Sequence, residues 1–284
     1  MNRNMRIYYY AVLGALGGLA GWQISNLLGL SFTGTFYANV AIVGALVGLM
    51  VGLFIGITEG MLTRNLWQAL KAGVFSALVG VVAGAVGLAV GEYLFQAIGA
   101  GVAGRALGWS LFGALIGLAA GLIGRSEVWK PVVGGFIGGA IGGALLEVAR
   151  VRLDIVAGKA VGLVLLGAML GLFIALIVVT LSRAWFEVVS GKLKGTEFIL
   201  DKFMHAGGPS IAIGSSPLKS EIVLPDPDVS PQHAMLTGDG TRFSLQDRSM
   251  SGTFINGRKI ERVQLSNGQR IRMGNTELVY HEKR

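Results

Sequence analysis

The chain has 284 residues, of which 52% are hydrophobic and only 14% are charged, and its formal net charge is +8. It has no cysteine and three histidines. This excludes a disulfide scaffold, a zinc finger, a thiolate iron–sulfur site and a cysteine nucleophile, and it argues against a histidine-rich metal centre. The hydrophobic content also excludes a disordered chain.

The composition changes sharply near Arg183. Residues 1–183 contain 34 of the 45 glycines and 16 charged residues, whereas residues 184–284 contain 11 glycines and 24 charged residues. The first part is therefore apolar and glycine-rich, and the second has the charge density of a small soluble domain. We predict a transmembrane helical domain at 1–183, a juxtamembrane linker at 184–195 and a soluble domain at 196–284.

Six apolar segments in the first part approach the roughly 20 residues that a helix needs to cross a bilayer. They are residues 7–28, 36–57, 72–94, 106–124, 131–148 and 160–182. Backbone groups in lipid must be paired within the segment, so each is predicted to be a helix. The first segment also has the basic start of a signal peptide, but it lacks a convincing cleavage site.

Basic residues in the short loops predict the orientation, because they stay on the inner side of the membrane. With the N-terminus inside, the inner side has more of them: Arg3, Arg6, Arg64, Lys71, Arg125, Lys130, Arg183, Lys192 and Lys194, against Arg105, Arg150, Arg152 and Lys159 outside. We therefore expect an integral protein of the plasma membrane, with the N-terminus and the soluble domain in the cytoplasm.

Glycines repeat every four residues in several of these segments, for example at Gly44, Gly48, Gly52 and Gly56. Glycine at this spacing lets a second helix approach closely, so we predict a bundle of about six glycine-zipper helices. Contacts between copies of the chain are an alternative use of the same faces, so a homo-oligomer is also possible. A glycine-lined transport path is a third interpretation, although ionisable residues mark such paths and occur here near the ends of the predicted spans.

From Gly195 onward, short β-rich runs alternate with turn residues. The predicted strands are residues 196–203, 210–214, 221–224, 233–238, 241–247, 253–256, 259–265, 269–273 and 276–281. Many short strands at close spacing predict an all-β sandwich. The predicted fold class is thus an all-α polytopic membrane bundle followed by a β-sandwich.

The order of the motifs in this part is more specific than the strands. Ile213-Gly214 is followed by Ser230-x-x-His233, then by Asp247-x-Ser249-x-Ser251-Gly252-Thr253 and Asn256-Gly257. This order resembles the forkhead-associated (FHA) domain, over about a third of the chain. The resemblance implies a sandwich whose loops bind a phosphothreonine peptide, with no enzymatic activity and no cofactor.

The resemblance also implies a binding site. Its candidate residues are Ser215, Ser230, His233, Arg248, Ser249, Ser251, Gly252, Thr253 and Asn256. Ser230 matches the serine that contacts the phosphate, and His233 matches the histidine that braces its loop. Ser215 stands where the family has an arginine that pairs with the phosphate, so Arg248 or Lys219 is needed as a substitute charge.

The sequence therefore predicts a non-enzymatic, membrane-anchored protein for signalling or scaffolding. Its partner is a phosphothreonine-containing protein or, if the altered site has lost the phosphate, an unmodified one. A transporter or channel subunit with the FHA-like domain as regulatory sensor is the alternative. The expected environment is the lipid bilayer. We expect no nucleic-acid partner, because the basic residues do not form one clustered face. We expect no metal, because the chain has no cysteine and only three histidines.

Overall fold

The computed structural model describes residues 3–30, 37–63, 65–98, 101–123, 127–204 and 210–283. Its first part contains the helices α1 Arg3–Leu27, α2 Tyr37–Leu62, α3 Leu66–Ile98, α4 Gly101–Ile123, α5 Trp129–Arg152 and α6 Ile155–Thr180. Five of them, α2 to α6, are long and apolar enough to span a membrane. The remaining helix, α1, carries polar residues at both ends, including Arg6 and Asn26.

The six helices pack in chain order, each on the next, and α1 also packs on α6. The bundle is therefore a closed ring. Its interior is a cluster of apolar side chains in which Val47, Phe112 and Leu166 are fully buried. Arg64 and Arg125, which contribute to the predicted orientation, lie outside the described residues.

Glycines lie where neighbouring helices of the ring come closest. A Cβ on Gly48 would overlap the carbonyl oxygen of Gly80, and one on Gly14 would overlap that of Gly167. Side chains at these positions would force the helices apart, which explains the high glycine content of this part of the chain.

The second part is a sandwich of two sheets. Its strands are β1 Ala184–Ser190, β2 Glu197–Ile199, β3 Ile211–Gly214, β4 Ile222–Val223, β5 Ala234–Gly238, β6 Phe243–Asp247, β7 Thr253–Ile255, β8 Arg258–Ile260, β9 Arg262–Gln264, β10 Arg270–Met273 and β11 Thr276–Glu282. The strand order is β2-β1-β11-β10-β7-β8 in one sheet and β4-β3-β5-β6-β9 in the other. The two sheets enclose an apolar core of their own, which includes Phe186, Phe243 and Tyr280.

The structure corrects three sequence predictions in this part. The predicted linker at 184–195 contains β1, which pairs with both β2 and β11. Alternate side chains of this strand are buried, including Phe186 and Val188, so it belongs to the sandwich. The predicted strand 259–265 is split at Glu261 between the two sheets, and the predicted strand 196–203 ends at Ile199, before a 3₁₀ turn at Asp201–Phe203.

Candidate functional site

The strand registers place most candidate residues at the end of the sandwich that lies away from the helices. Only residues 181–183 separate α6 from β1, so the Ala184 end of the sheet adjoins the bundle. Ala184 pairs with Glu282, which leaves the start of β11 at the opposite end. Met273 pairs with Thr276 and with Thr253, so the start of β7 lies at that far end as well.

His233 holds two of the candidate loops together from a fully buried position. Its Nδ1 accepts the backbone N–H of Ser230 at 3.1 Å, and its Nε2 lies 3.4 Å from the carbonyl oxygen of Gly252. Because Nδ1 is an acceptor, the proton of the neutral ring is on Nε2 and points to Gly252. Burial lowers the pKa of His233 and outweighs the opposing effects of the Gly252 carbonyl and of nearby carboxylates.

Asp247, at the end of β6, organises the next loop. One of its carboxylate oxygens accepts the hydroxyl protons of Ser249 and Thr253, each at 2.8 Å. Ser249 in turn accepts the backbone N–H of Gly252 at 2.8 Å. Burial opposes ionisation of Asp247, but these hydrogen bonds outweigh it and hold the pKa of the carboxyl below its ordinary value. The loop is thus fixed by a charged acceptor that stands first in the motif of this loop but is not among the predicted site residues.

Ser215 and Ser251 border the same loops. The backbone N–H of Ser215 donates to the carbonyl oxygen of Ser230 at 3.0 Å, and the Ser251 hydroxyl is 3.5 Å from the carbonyl oxygen of Asp228. Arg248 is exposed, and its backbone N–H donates to the carbonyl oxygen of His233. Its loop is therefore tied to the Ser230 loop.

Asn256 does not join this group. It follows β7, at the opposite end of that strand from Thr253, and its side chain accepts the backbone N–H of Arg270 at 3.2 Å. Its φ of 49° lies in the left-handed region that asparagine tolerates better than most residues. Asn256 therefore shapes the turn between β7 and β8, and its role in binding stays a prediction.

The geometry gives a set of loops around one buried histidine at one end of a sandwich. A family model, described as FHA domain, matches residues 211–274. Residues 211–274 form an FHA domain. Below, the name FHA domain is used for the whole sandwich from β1 to β11. The FHA domain is an interaction module rather than an enzyme, and the helices before it are not covered by the match.

Similar proteins fall on the same part of the chain. The glycogen accumulation regulator GarA of Mycolicibacterium smegmatis is 32% identical over 94 residues, which are 33% of this chain and 55% of that protein. The chain thus matches about half the length of this curated relative. The crystal structure of the FHA domain of CT664 from Chlamydia trachomatis is 30% identical, with 36% of this chain and 100% of that chain covered and a TM-score of 0.33. The FhaA FHA domain, crystallised in complex with the intracellular domain of Rv3910, is 26% identical. The match covers 34% of this chain and 99% of that chain, with a TM-score of 0.30.

One basic residue near these loops, Lys259, was not predicted from the sequence. A Cβ added to Gly252 would lie 2.5 Å from Cε and 3.1 Å from Nζ of Lys259, so the lysine side chain lies across the Gly252 backbone. Gly252 has a φ of +87°, which strongly favours glycine. Lys259 is exposed and comes from β8, the strand that pairs with β7. Only the pairing of β7 with β8 reveals this, since no motif contains Lys259.

Proposed function

We propose that this protein is a membrane-anchored docking protein whose FHA domain binds a phosphothreonine segment of a protein partner. The observation that carries the proposal is the hydrogen-bonded frame around His233, which holds the Ser230 loop and the Gly252 loop in one fixed arrangement. A fixed frame reduces the entropy that loops lose on binding, so the domain is prepared to receive an extended peptide.

In this proposal, serine hydroxyls bind the phosphate together with basic residues that replace the missing arginine of the family. Ser230 and Ser251 provide hydroxyl donors, but a phosphate dianion is bound most strongly by charged donors. Ser215 cannot supply the charge of the family arginine at its position. We assign that charge to Arg248 and Lys259, which are exposed in the Gly252 loop and beside it, respectively.

The helical domain is the membrane anchor in this proposal. Five helices long and apolar enough to span a bilayer support it. The basic residues of the loops support an orientation with the FHA domain in the cytoplasm, and we propose the plasma membrane as its location. The lipid bilayer is then a second partner, and a homo-oligomer formed through the glycine faces is compatible with the same arrangement.

We propose no catalytic activity for the whole chain. The alternative function, a transporter or channel subunit, is not favoured by the packing of the ring, whose described interior is filled by buried apolar side chains such as Val47, Phe112 and Leu166. A path for ions or polar solutes would require these side chains to move apart.

Peptide titration tests the proposal. The fragment 184–284, which contains the complete sandwich core, is titrated with a degenerate peptide library in phosphothreonine and in plain threonine forms. We expect binding of the phosphorylated form only. Ser230→Ala should abolish it, and Lys259→Gln should weaken it about tenfold, because a hydrogen bond to a charged group contributes about 1.5–3 kcal/mol and Lys259 is exposed to solvent.

Arg258→Gln is the matched control. Arg258 precedes Lys259 in β8, so its side chain points to the other face of the strand and its loss should leave affinity unchanged. Equal binding of phosphorylated and plain peptides would replace the proposal with phospho-independent docking. Binding of neither form would contradict peptide recognition by this face.

A further inference from the structure

A small cavity lies inside the ring of helices, at the end next to the FHA domain. All six helices and Ile199 of β2 contribute to its wall, and its volume is about 40 Å³. That volume is enough for a small cluster of water molecules, provided that polar groups are present to bind them. The cavity lies far from the peptide loops and has no part in the function proposed above.

The wall of this cavity contains an ion pair. The Arg6 guanidinium donates to a Glu59 carboxylate oxygen at 2.6 Å, and the Tyr10 hydroxyl lies 3.4 Å from the other oxygen. Both charged side chains are largely shielded from solvent, with exposed fractions of 10% and 14%. Glu59 lies in the last turn of α2, beyond the segment predicted from the sequence but within a helix long and apolar enough to span a membrane, where an ionisable residue is costly unless it is paired or hydrated.

A buried hydroxyl in the same wall lacks a hydrogen-bond partner. Ser76 of α3 is 1% exposed, and its buried Oγ makes no hydrogen bond to any of the described residues. The Oγ faces the space beside Gly56, which also lines the cavity. A serine hydroxyl both donates and accepts, and a water molecule in the cavity satisfies both needs.

The occupant is expected to be uncharged. Arg6 and Glu59 neutralise each other, and most other lining residues, such as Ile55 and Ile174, are apolar. A cation would be repelled by Arg6 and an anion by Glu59, whereas water can bridge the ion pair and the free hydroxyl.

The FHA domain covers this cavity and is fastened over it by a second ion pair. Lys130, in the first turn of α5, donates to Asp201 at 2.6 Å, and the exposed fractions of the two side chains are 1% and 0%. The other Asp201 oxygen accepts the backbone N–H groups of Arg183 and Ala184, where the chain passes from the helices into the sandwich. Lys202 also donates to the carbonyl oxygen of Leu122 at 2.5 Å.

We infer that the cavity is a hydrated site within the bundle, and that the FHA domain is its lid, held closed by the Lys130–Asp201 pair. Ile199 covers the water, and Asp201, two residues further along the chain, fastens the lid to α5. Lys130 also pairs with Glu127 at 3.1 Å, so it keeps a partner when Asp201 is lost. Removal of Lys130, in contrast, leaves the Asp201 carboxylate buried without its cation, which is strongly disfavoured and should drive Asp201 toward solvent and open the lid.

The absence of cysteine makes the lid directly testable in the full chain. Ser76→Cys places a single thiol in the cavity, and its rate of modification by a small methanethiosulfonate reagent is measured in nanodiscs. We expect slow modification in the otherwise unchanged chain and at least tenfold faster modification after Lys130→Met. The double change Lys130→Met with Asp201→Asn should restore the slow rate, because it removes the buried Asp201 charge that Lys130→Met leaves unpaired and keeps an acceptor for the backbone N–H groups.

Ala83→Cys is the control for general loosening. Ala83 is fully buried in the apolar interior of the ring, so a thiol there should stay unreactive in every background. Equal rates for the Ser76→Cys thiol with and without Lys130→Met, or reactive Ala83→Cys thiols, would overturn the lid.

A second measurement tests the water itself. Hydroxyl-radical labelling of the intact protein compares Ile55, which lines the cavity, with Ile116, which lies in the apolar interior. Both are 1% exposed, so a dry cavity gives equal labelling. Severalfold stronger labelling of Ile55 is expected, and equal labelling would contradict hydration.

Discussion

A proton on Nδ1 of His233 would break the hydrogen bond that holds the Ser230 loop, because Nδ1 accepts the Ser230 N–H. The pKa of His233 is lowered by burial, so below its unfolded value of about 6.5 the unfolded chain binds a proton that the folded chain does not. The contribution of neutral His233 to the free energy of unfolding is therefore fully present above about pH 6.5. It decreases as the pH falls, by at most about 1.4 kcal/mol per pH unit.

Urea unfolding of the fragment 184–284 between about pH 7 and pH 4.5 measures this loss. His233→Asn keeps an acceptor near the position of Nδ1 but cannot titrate, so it should remove most of the slope whatever its effect on absolute stability. His281→Asn is the matched control, because His281 is half-exposed and pairs with Glu187, and its loss should leave the His233 part of the slope in place. An unchanged slope in His233→Asn would contradict the assignment.

A sequence motif predicts only those site residues that have a fixed spacing along the chain. Ser230, His233 and Gly252 belong to motifs with fixed spacing, and the structure brings them together. Asp247 stands in the same motif, but spacing alone does not show that its carboxylate accepts the hydroxyl protons of Ser249 and Thr253. Lys259 lies near the site because β8 pairs with β7, and the spacing of residues along the chain does not reveal that contact. Asn256 also belongs to a motif, and its side chain accepts a backbone N–H in the turn region that follows β7.

At the scale of the helices, the packing of α2 against α3 depends on the missing side chain of Gly48. A Cβ there would overlap the Gly80 carbonyl oxygen, which belongs to the backbone and cannot turn away as a side chain could. Gly48→Val should therefore destabilise the helical domain by at least about 3 kcal/mol, the upper range for overpacking a core. The measurement is the thermal unfolding of the full chain in detergent.

Leu78→Val is the control for this prediction. Leu78 lies on α3 with 64% of its surface exposed, where few neighbouring side chains constrain its shape, so we expect a change below about 0.5 kcal/mol. Equal stability of Gly48→Val and Leu78→Val would contradict the close approach of the two helices.

The helices could be predicted from the sequence because length and apolarity are properties of each segment alone. Strand β1 could not be predicted in this way. Residues 184–190 are separated by three residues from α6, a helix long and apolar enough to span a membrane, and aromatic residues at such a point are also typical of a membrane interface. The alternation of buried and half-buried residues in β1 has meaning only once β2 and β11 lie on either side of it. The break at Glu261 was hidden for a similar reason, since β8 and β9 pair with different sheets.

At the scale of the whole molecule, the two parts share a boundary with almost no spacer. Three residues separate α6 from β1, and Asp201 binds the backbone at that point. The FHA domain is thus held against the bundle at one end, while the loops around His233 lie at the other. The partner proposed above would therefore reach these loops without displacing the domain from the helices.

The boundary also predicts which fragment folds. A fragment that begins at Thr196 lacks β1, which lies between β2 and β11 and contributes the buried side chains of Phe186 and Val188. Loss of one buried aromatic side chain costs about 3–5 kcal/mol, and a domain of this size has only about 5–15 kcal/mol of stability. The fragment 196–284 should therefore be largely unfolded, with poor dispersion of its amide NMR signals, whereas 184–284 should give a dispersed spectrum and cooperative urea unfolding. A fragment 181–284 should match 184–284, because it adds only the connection to α6; a folded and equally stable 196–284 would show that β1 is not part of the domain's core.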